Sequence, residues 1–310
     1  MTIESYLSEL ADMEKDLSTA ELTQLSGLVG PEQSEVEVAW DLIPAARRQQ
    51  IVDKLLEMTE DNVELDFYAV FCNALHDDEP AVRERALAGL WESDDRRTIP
   101  KLIERLENDN ADEVRASAAL GLGHFSELAC TNKLLAQDGE RVYQALLSAL
   151  EDTDEPMEVR RRALEAVAPF QTTEVHDWIT WGYKNADPVV QQSALHAMGR
   201  SCDASWLPTV YLEMDNEDPA IRYESANAAG ELGEADAIPR LTELIDDTDP
   251  EVSMAATRAI GAIGGPQAKK VLRELTAAGD DDMLKEAASD SLESMEDGEA
   301  DFSMLELDDD

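Results

Sequence analysis

Basic residues are scarce in this 310-residue chain, which carries 25 Lys and Arg against 69 Asp and Glu. A formal net charge of −44 would repel the phosphate backbone of a nucleic acid and the surface of an anionic membrane, so neither is an expected partner. Such acidity fits high solubility, a basic partner or adaptation to high salt. Only 8 of the basic residues are lysine, which favours the high-salt interpretation.

Cysteine is also scarce, and an odd set of three (Cys72, Cys130 and Cys202) argues against a disulfide framework. Such residues fit small buried side chains in a reducing cytosol. The start, MTIESYLSELADMEKDL, lacks the basic and apolar regions of a signal peptide. No window approaches the run of about 18 apolar residues that a membrane span needs. These absences predict a cytoplasmic protein.

Residues that carry chemistry are few as well. The four histidines (His76, His124, His176 and His196) have no metal-ligand neighbour at H-x-x-x-H or C-x-x-C spacing. The phosphate-binding motif G-x-x-x-x-G-K-[ST], the nucleophile motif G-x-S-x-G and a strand–helix G-x-G-x-x-G are absent. The sequence therefore predicts no catalytic residue, no metal site and no cofactor.

What the chain does contain is a repeat, visible as a hydrophobic residue followed by a position that is usually arginine. The aligned hydrophobes are separated by steps of 32, 45, 31, 31, 31 and 32 residues, and a fixed period of this kind indicates a repeat architecture. They are Val82, Val114, Val159, Val190, Ile221, Val252 and Leu284.

Each copy has the pattern of two helices. The first opens at an acidic cap, often followed by proline as in Asp218-Pro219, which suits the unpaired amides of a first helical turn. Small apolar residues then recur at helical spacing, and Gly123, Gly233 and Gly264 are predicted to end the first helices. A second helix follows, as in AIPRLTELI. Every periodic segment fits a helix, which predicts fourteen to eighteen helices and no sheet.

The pattern D-P-x-V-R-x-x-A-x-x-A-L-G resembles the short HEAT-like repeats of the phycobilin-lyase type. The match is best in DEVRASAALGLG (112–123) and DPAIRYESANAAGELG (218–233) and covers about 77–295. The resemblance implies an all-α, right-handed α-solenoid of helix pairs, similar to armadillo-like superhelices. Deoxyhypusine hydroxylases, a class of HEAT-like enzyme, use repeated His-Glu pairs to hold two irons. This chain has no His-Glu dipeptide, so that activity is not expected.

The resemblance also implies a ladder of ion pairs along the turns between repeats. Its arginines are expected to pair with acidic caps and hold neighbouring repeats in register, with Gln191, Ser253 and Lys285 replacing arginine in three copies. The residues assigned to this structural ladder are Arg83, Arg115, Arg160, Arg222, Asp187, Asp218 and Asp249.

Departures from the repeat give the functional candidates. About 14 extra residues lie in 124–143, and insertions in repeat proteins fall in loops that are often on the binding face; an extra turn of helix without a binding role is the alternative. Five aromatic residues fall in the second helices of two adjacent copies. In HEAT-type solenoids these helices line the concave surface, so Trp181, Tyr183, Trp206 and Tyr211 are predicted to bind a partner, with Trp178 the best core candidate. Core packing of all five is the alternative.

The chain ends are atypical. Residues 1–76 are predicted to form a helical cap with a degenerate repeat, 77–295 the HEAT-like repeats, and 296–310 an acidic, disordered tail. The expected function is a non-catalytic scaffold or adaptor that presents a curved acidic surface to another protein, for which a basic protein is the natural partner. The alternative is a bilin lyase-like accessory subunit that binds a tetrapyrrole-carrying protein.

Overall fold

A computed structural model describes residues 3–91, 93–278 and 281–305. Within these residues every regular element is an α-helix or a short 3-10 helix and no strand occurs, so the predicted all-α class is confirmed. The α-helices are α1 Ile3–Leu10, α2 Thr19–Leu22, α3 Pro31–Trp40, α4 Ala45–Asp61, α5 Tyr68–Ala74, α6 Pro80–Ala88, α7 Ile99–Asn108, α8 Asp112–Cys130, α9 Ala136–Glu151, α10 Met157–Val167, α11 Thr173–Tyr183, α12 Pro188–Arg200, α13 Leu207–Glu213, α14 Pro219–Leu232, α15 Ile238–Leu244, α16 Pro250–Ile263, α17 Gly265–Ala278 and α18 Asp282–Leu305.

The helices form two compact units, Met1–Val167 with α1–α10 and Ala168–Asp310 with α11–α18. In unit 1, the first helices α6, α8 and α10 pack against one another in chain order. In unit 2, the first helices α12, α14, α16 and α18 do the same. The second helices of unit 2, α11, α13, α15 and α17, each pack on a neighbouring first helix.

The aligned hydrophobes explain this packing. Each one is the third residue of its first helix, and from Val82 to Val252 all are buried, whereas Leu284 is half-buried. Proline occupies the first position of α6, α12, α14 and α16, where its missing amide hydrogen leaves no bond unmade. The sequence register and the helix register therefore coincide.

Small residues let successive first helices approach closely. A Cβ atom at Gly199 would lie 2.8 Å from the Cα atom of Ala228, and one at Gly230 would lie 2.8 Å from the Cα atom of Ala259. Backbone atoms cannot move aside as a flexible side chain can. The small-residue stripe read from the sequence is thus the contact between neighbouring copies.

One predicted helix end is wrong. Gly233 and Gly264 follow the last residues of α14 and α16 with φ of 72° and 71°, but Gly123 lies inside α8, which continues to Cys130. A Cβ atom at Gly123 would lie 3.3 Å from the Cα atom of Ala166. The lack of a side chain at Gly123 therefore allows α10 to approach α8 closely. Gly123 does not form a left-handed turn.

The extra residues 124–143 are helical, which agrees with the extra turn of helix and not with a binding loop. They form the end of α8, a turn at 131–135 and the first half of α9, so they lengthen a helical hairpin. Phe125 is fully buried, and a Cβ atom at Gly139 would lie 2.9 Å from the Cβ atom of Ala129. The buried Asp138 pairs with Arg96 at 3.0 Å. These packed residues give the insertion a structural role.

The chain ends contain more helix than expected. α4 and α5 form the anticipated degenerate pair, and α1–α3 precede it. α18 continues through 296–305, where the sequence predicted a disordered tail, and residues 306–310 lie outside the described part of the chain.

We expect Ala226→Trp to lower the free energy of unfolding by about 1–3 kcal/mol or more, because Ala226 is fully buried on α14 and the larger ring must displace packed atoms. Denaturant unfolding followed by circular dichroism measures the change. Tyr223→Trp is the control, since Tyr223 lies on the exposed side of the same helix. An unchanged unfolding midpoint for Ala226→Trp would show that the packed stripe is misplaced.

A candidate protein-interaction surface

The arginines of the first helices bind the turns between repeats, and each occupies the fourth position of its helix. Arg83 donates from Nε and Nη2 to the carboxylate of Asp109 at 2.8 and 2.6 Å, and from Nη1 to the Asp77 carbonyl at 2.7 Å. Arg222 makes the same set of bonds with Asp247, at 2.7 Å each, and with the Asn216 carbonyl at 2.8 Å. Each of these arginines joins its own turn to the next one.

The remaining copies vary this arrangement. Arg115 donates to Glu155 at 3.1 Å and to the Asp109 carbonyl at 2.8 Å. Arg160 donates to the Leu150 carbonyl at 3.0 Å, across a longer turn. Gln191 replaces the arginine but still bonds the carbonyl six residues earlier, that of Asn185, at 2.8 Å. A shorter side chain thus keeps the bond within its own turn.

The acidic partners lie two residues earlier than the sequence analysis placed them. The carboxylates of Asp187, Asp218 and Asp249 accept hydrogen bonds from backbone amides at the starts of α12, α14 and α16. They are helix caps, and the carboxylate that receives both Arg222 donors is that of Asp247. In this turn Asp249 caps the helix and Asp247 pairs with Arg222. The repeat pattern alone does not show which of the two acidic residues has which role.

Sequence reasoning missed one member of the ladder. Arg48, the fourth residue of α4, lies 2.7 Å from the Asp77 carboxylate through Nε and donates to it from Nη2 at 2.9 Å. Arg47 precedes it where the other copies have a hydrophobe, so an alignment on hydrophobes skips this copy. The four-residue spacing from the helix start was the signal that could have found it.

Aromatic side chains of α11 and α13 form contacts between these two second helices. The Tyr183 hydroxyl donates to Glu213, and the His176 ring stacks on Trp206 with centroids 4.3 Å apart. Burial, together with the hydrogen bond to Glu213, raises the pKa of Tyr183 to about 12, so its hydroxyl keeps its proton at neutral pH. The two helices lie side by side, as the sequence indicated.

The aromatic residues do not all share one face. At about 100° per residue, the core face of α11 holds Val175 and Ile179, with Tyr183 on one flank and Trp181 on the other. Trp181 forms an edge-to-face pair with Trp178, at a centroid distance of 5.3 Å. The structure therefore brings Tyr183 to α13 but does not bring Trp181 to the same side.

The exposed fraction of each aromatic side chain distinguishes residues that can contact a partner from residues of the core. Trp206 is buried, and the assignment of Trp206 as a partner-binding residue is wrong because its ring fills the space beneath His176. Trp178, the expected core residue, is half-buried, as are Trp181 and Tyr183. Tyr211 is half-buried and its hydroxyl oxygen is inaccessible, while the Tyr211 carbonyl accepts from Arg240 of α15 at 3.1 Å.

The outward face of α13 adds an apolar residue that the sequence analysis did not single out. Leu212 has 66% of its surface exposed and follows Tyr211 directly. Glu213, the partner of Tyr183, is its other neighbour. We call the outer side of α11 and α13 the second-helix surface; Tyr183, Tyr211, Leu212 and Glu213 lie towards α13, and Trp181 lies on the opposite flank of α11. It combines half-buried rings, one exposed leucine and acidic side chains.

The comparisons with known proteins agree with this architecture. The family model for HEAT repeats matches residues 68–155 and 207–293, more than half of the chain. The chain belongs to the HEAT-repeat family. None of the curated proteins matches its sequence significantly.

Solved structures place these HEAT repeats among α-solenoids. The complex of CpcE and CpcF of phycocyanin lyase from Nostoc sp. PCC7120 is similar with a TM-score of 0.57 and 15% identity, over 86% of this chain and 97% of that one. Human deoxyhypusine hydroxylase has a TM-score of 0.36 and 20% identity, over 84% and 95% of the two chains. Importin beta has a TM-score of 0.47 and 15% identity, over 94% of this chain and 44% of that one. The predicted HEAT-like, phycobilin-lyase type of fold is confirmed.

The HEAT-repeat matches leave out two stretches that the structure places in the same architecture. The first match starts after α4, although Arg48 pairs with Asp77 as later arginines pair with their turns. Residues 156–206 lie between the matches and contain α10–α12, including the copy with Gln191.

The described part of the HEAT-repeat chain was also searched for other kinds of site. Over those residues, no three His, Cys, Asp or Glu side chains converge so that they could hold a metal ion. No helix there is both long enough and apolar enough to cross a membrane.

Proposed function

We propose that this HEAT-repeat protein is a non-catalytic scaffold that binds another protein through its second-helix surface. The observation that carries the proposal is Leu212, an exposed leucine set between Tyr211 and Glu213, the residue that accepts the hydrogen bond of the half-buried Tyr183. Apolar and aromatic side chains that lose their remaining exposure on binding supply most of the energy in protein interfaces.

The charge of the chain supports a basic partner. With a net charge of −44, the protein attracts a cationic surface at long range, and such steering raises the association rate more than the affinity. Glu213 and Asp215 place carboxylates at the end of α13, where the exposed Asp215 pairs with the half-buried Arg240 at 2.6 Å. Once the partner is bound, the apolar and aromatic contacts of the second-helix surface set the dissociation rate.

We expect Trp181→Ala to raise the dissociation rate of the bound protein about 30-fold, which corresponds to about 2 kcal/mol for a good anchor. The partner is first captured from the native lysate, identified and purified, and the rates are measured by surface plasmon resonance. Trp91→Ala is the matched control, because Trp91 is an exposed tryptophan of unit 1 with 51% of its surface accessible. An unchanged dissociation rate for a folded Trp181→Ala protein would exclude Trp181 as an anchor.

A lyase-like accessory role is the second candidate, because the similar CpcE–CpcF structure is that of a phycocyanin lyase. Such a subunit would contact a tetrapyrrole-carrying protein and would shift the absorbance of an added bilin. A scaffold without that role would retain its protein partner and leave the bilin spectrum unchanged. Titration of free bilin followed by visible absorption distinguishes the two functions.

A further inference from the structure

The ladder lacks one contact at the start of α16. Ser253 occupies the fourth helix position there, and its hydroxyl donates to the Asp247 carbonyl at 3.2 Å, as the arginines bond the carbonyl six residues earlier. A serine is too short to reach the next turn. Where other copies carry an acidic partner such as Asp109 or Asp247, five residues before the aligned hydrophobe, the next copy has Gly279. Both members of the ion pair are therefore missing from the sequence.

A groove opens beside Ser253, where earlier copies have the arginine side chain. Its volume is about 520 Å³, and a second hollow of about 220 Å³ shares Met254, Arg258 and Met283 with it. We call the two together the Ser253 groove. All of its described lining residues belong to unit 2. The size falls in the range of about 300–1,000 Å³ that ligand-binding pockets occupy.

Part of the wall of the Ser253 groove is apolar and partly open to water. Met254 and Leu284 are half-buried, and Met283 keeps 69% of its surface exposed. Tyr223 and Ile245 continue the apolar wall. Methionine adapts its shape to different apolar partners, and is common on surfaces that bind peptide helices. The groove thus offers an apolar contact that nothing in the described part of the chain covers.

The rim of the groove is acidic. Asp246, Glu251, Glu286 and Asp290 are all exposed, and over the described residues none of these carboxylates receives a hydrogen bond or an ion pair from another side chain. Arg258 is the one basic residue among the described lining residues. Carboxylates grouped around a low-dielectric cleft concentrate negative potential there. A cationic ligand would gain from that potential, whereas an anionic one would be repelled.

The helix starts near the groove do not cancel this potential. The positive ends of α16 and α18 are capped by Asp249, which accepts from the Glu251 amide, and by Asp281, which accepts from the Met283 and Leu284 amides. Their carboxylates offset the partial positive charge of the helix dipole. The four rim carboxylates remain available.

We propose that the Ser253 groove binds a basic amphipathic segment of another protein, with a large apolar side chain against Met254 and Met283 and Lys or Arg at the rim carboxylates. This is the helix-in-groove mode of recognition, with charge setting the choice of partner. The chain's own acidic end, 298–310, carries the wrong charge for this rim. The residues that line the Ser253 groove lie outside α11 and α13. An experiment can therefore support or overturn this proposal independently of the proposed function.

The test uses a fluorescein-labelled peptide of Leu and Lys at helical spacing, titrated into the full chain with anisotropy as the readout. A scrambled peptide of the same composition controls for charge alone. We expect Glu286→Lys/Asp290→Lys to weaken binding of the helical peptide at least tenfold. Glu60→Lys/Glu107→Lys in unit 1 makes the same change in net charge at exposed positions, and we expect it to change binding less than twofold. Equal weakening by both pairs would overturn the proposal, because general charge attraction would explain it.

Apolar contact is tested separately. Met283→Ser lies at an exposed position and should leave the circular dichroism spectrum unchanged, while weakening the helical peptide at least fivefold and the scrambled peptide not at all. Ser253→Arg should fill the groove and weaken binding likewise. Unchanged binding in a folded Met283→Ser protein would overturn the proposal. It would also be overturned if the peptide bound only after removal of residues 298–310, since the chain's own end would then be the occupant.

Discussion

Replacing Asp77 by alanine is expected to lower the free energy of unfolding of unit 1 by about 3–5 kcal/mol, the cost of leaving one partner of a buried ion pair uncompensated. The Asp77 side chain is fully buried and lies 2.7 Å from Arg48, whose own side chain is 8% exposed. It also accepts from the Trp40 indole at 2.6 Å and from the Glu79 amide at 2.9 Å. Without it, the Ile43 carbonyl is the one partner that the described residues still offer to the guanidinium group.

Asp78→Ala is the matched control for this variant. Asp78 is adjacent and exposed, and its carbonyl, which any residue supplies, is the atom that accepts from Arg83. We expect a change of less than about 0.5 kcal/mol for this surface position. Denaturant unfolding followed by tryptophan fluorescence and circular dichroism measures both variants. A loss below about 1 kcal/mol for Asp77→Ala would show that Arg48 is well solvated and that α4 is not tied to the repeats.

Arg83→Ala is expected to cost a similar amount, about 3–5 kcal/mol, because it leaves the carboxylate of Asp109 in a buried site. The side chains of Arg83 and Asp109 are 7% and 1% exposed. Arg105, at 3.2 Å, is the one other arginine bonded to Asp109. The more exposed pair of Arg222 and Asp247 supplies the comparison, and Arg222→Ala should cost about 1.5–3 kcal/mol, the usual range for hydrogen bonds to charged groups.

The Arg83 effect should depend on pH. Burial raises the pKa of Asp109, but hydrogen bonds from Arg83 and the Ala111 amide outweigh it, so the pKa lies below its ordinary value. A lowered carboxyl pKa stabilises the fold above the unfolded value of about 3.9, and this stabilisation is lost as pH falls through the lowered pKa. The difference between wild type and Arg83→Ala should therefore shrink as the pH falls below about 4. A constant difference down to pH 3 would contradict the ion-pair account.

Arg222→Ala also separates structure from function. If Arg222 only holds neighbouring turns together, a folded Arg222→Ala protein keeps its affinity for the partner while its unfolding midpoint falls. Loss of partner binding with unchanged stability would assign Arg222 to the binding surface instead. The two quantities are measured on the same preparation, by surface plasmon resonance and denaturant unfolding.

Salt distinguishes the two explanations of the acidic composition. A basic partner steered by charge should associate more slowly as salt rises, since the Debye length falls from about 10 Å at 0.1 M to about 3 Å at 1 M. A fold adapted to high salt should instead lose melting temperature when salt is removed, while binding does not weaken as salt rises. Association rates and melting curves from low to molar salt distinguish these outcomes.

The repeat register could be predicted from sequence because one physical requirement, a buried residue at the third helix position, recurs in the copies from Val82 to Val252. Pairing within the turns could not be predicted, since Asp247 and Asp249 are both acidic and only geometry shows which one caps the helix. The prediction that Gly123 ends a helix was wrong for a related reason. Glycine serves both helix ends and close helix contacts, and the residues that follow Gly123 continue the helix.

Only part of the candidate site could be predicted from the sequence. Composition and helix position located the aromatic residues on adjacent second helices, but a ring that packs between helices and a ring that faces solvent have the same sequence signal. Trp206, the last residue of the 3-10 turn before α13, proved to be buried, and Leu212 proved to be exposed. The Ser253 groove depends on the absence of two side chains that other copies carry, one long and one charged. A search for motifs that are present does not detect such an absence.

Site-specific photo-crosslinking from Leu212 tests the second-helix surface most directly. Benzoylphenylalanine replaces Leu212 in one variant and Val38 in another, since Val38 is 79% exposed on α3 of unit 1. With the purified partner present, the account predicts a crosslinked complex from position 212 and none from position 38, and Trp181→Ala in the same chain should reduce its yield. Crosslinking from position 38 with none from position 212 would contradict it.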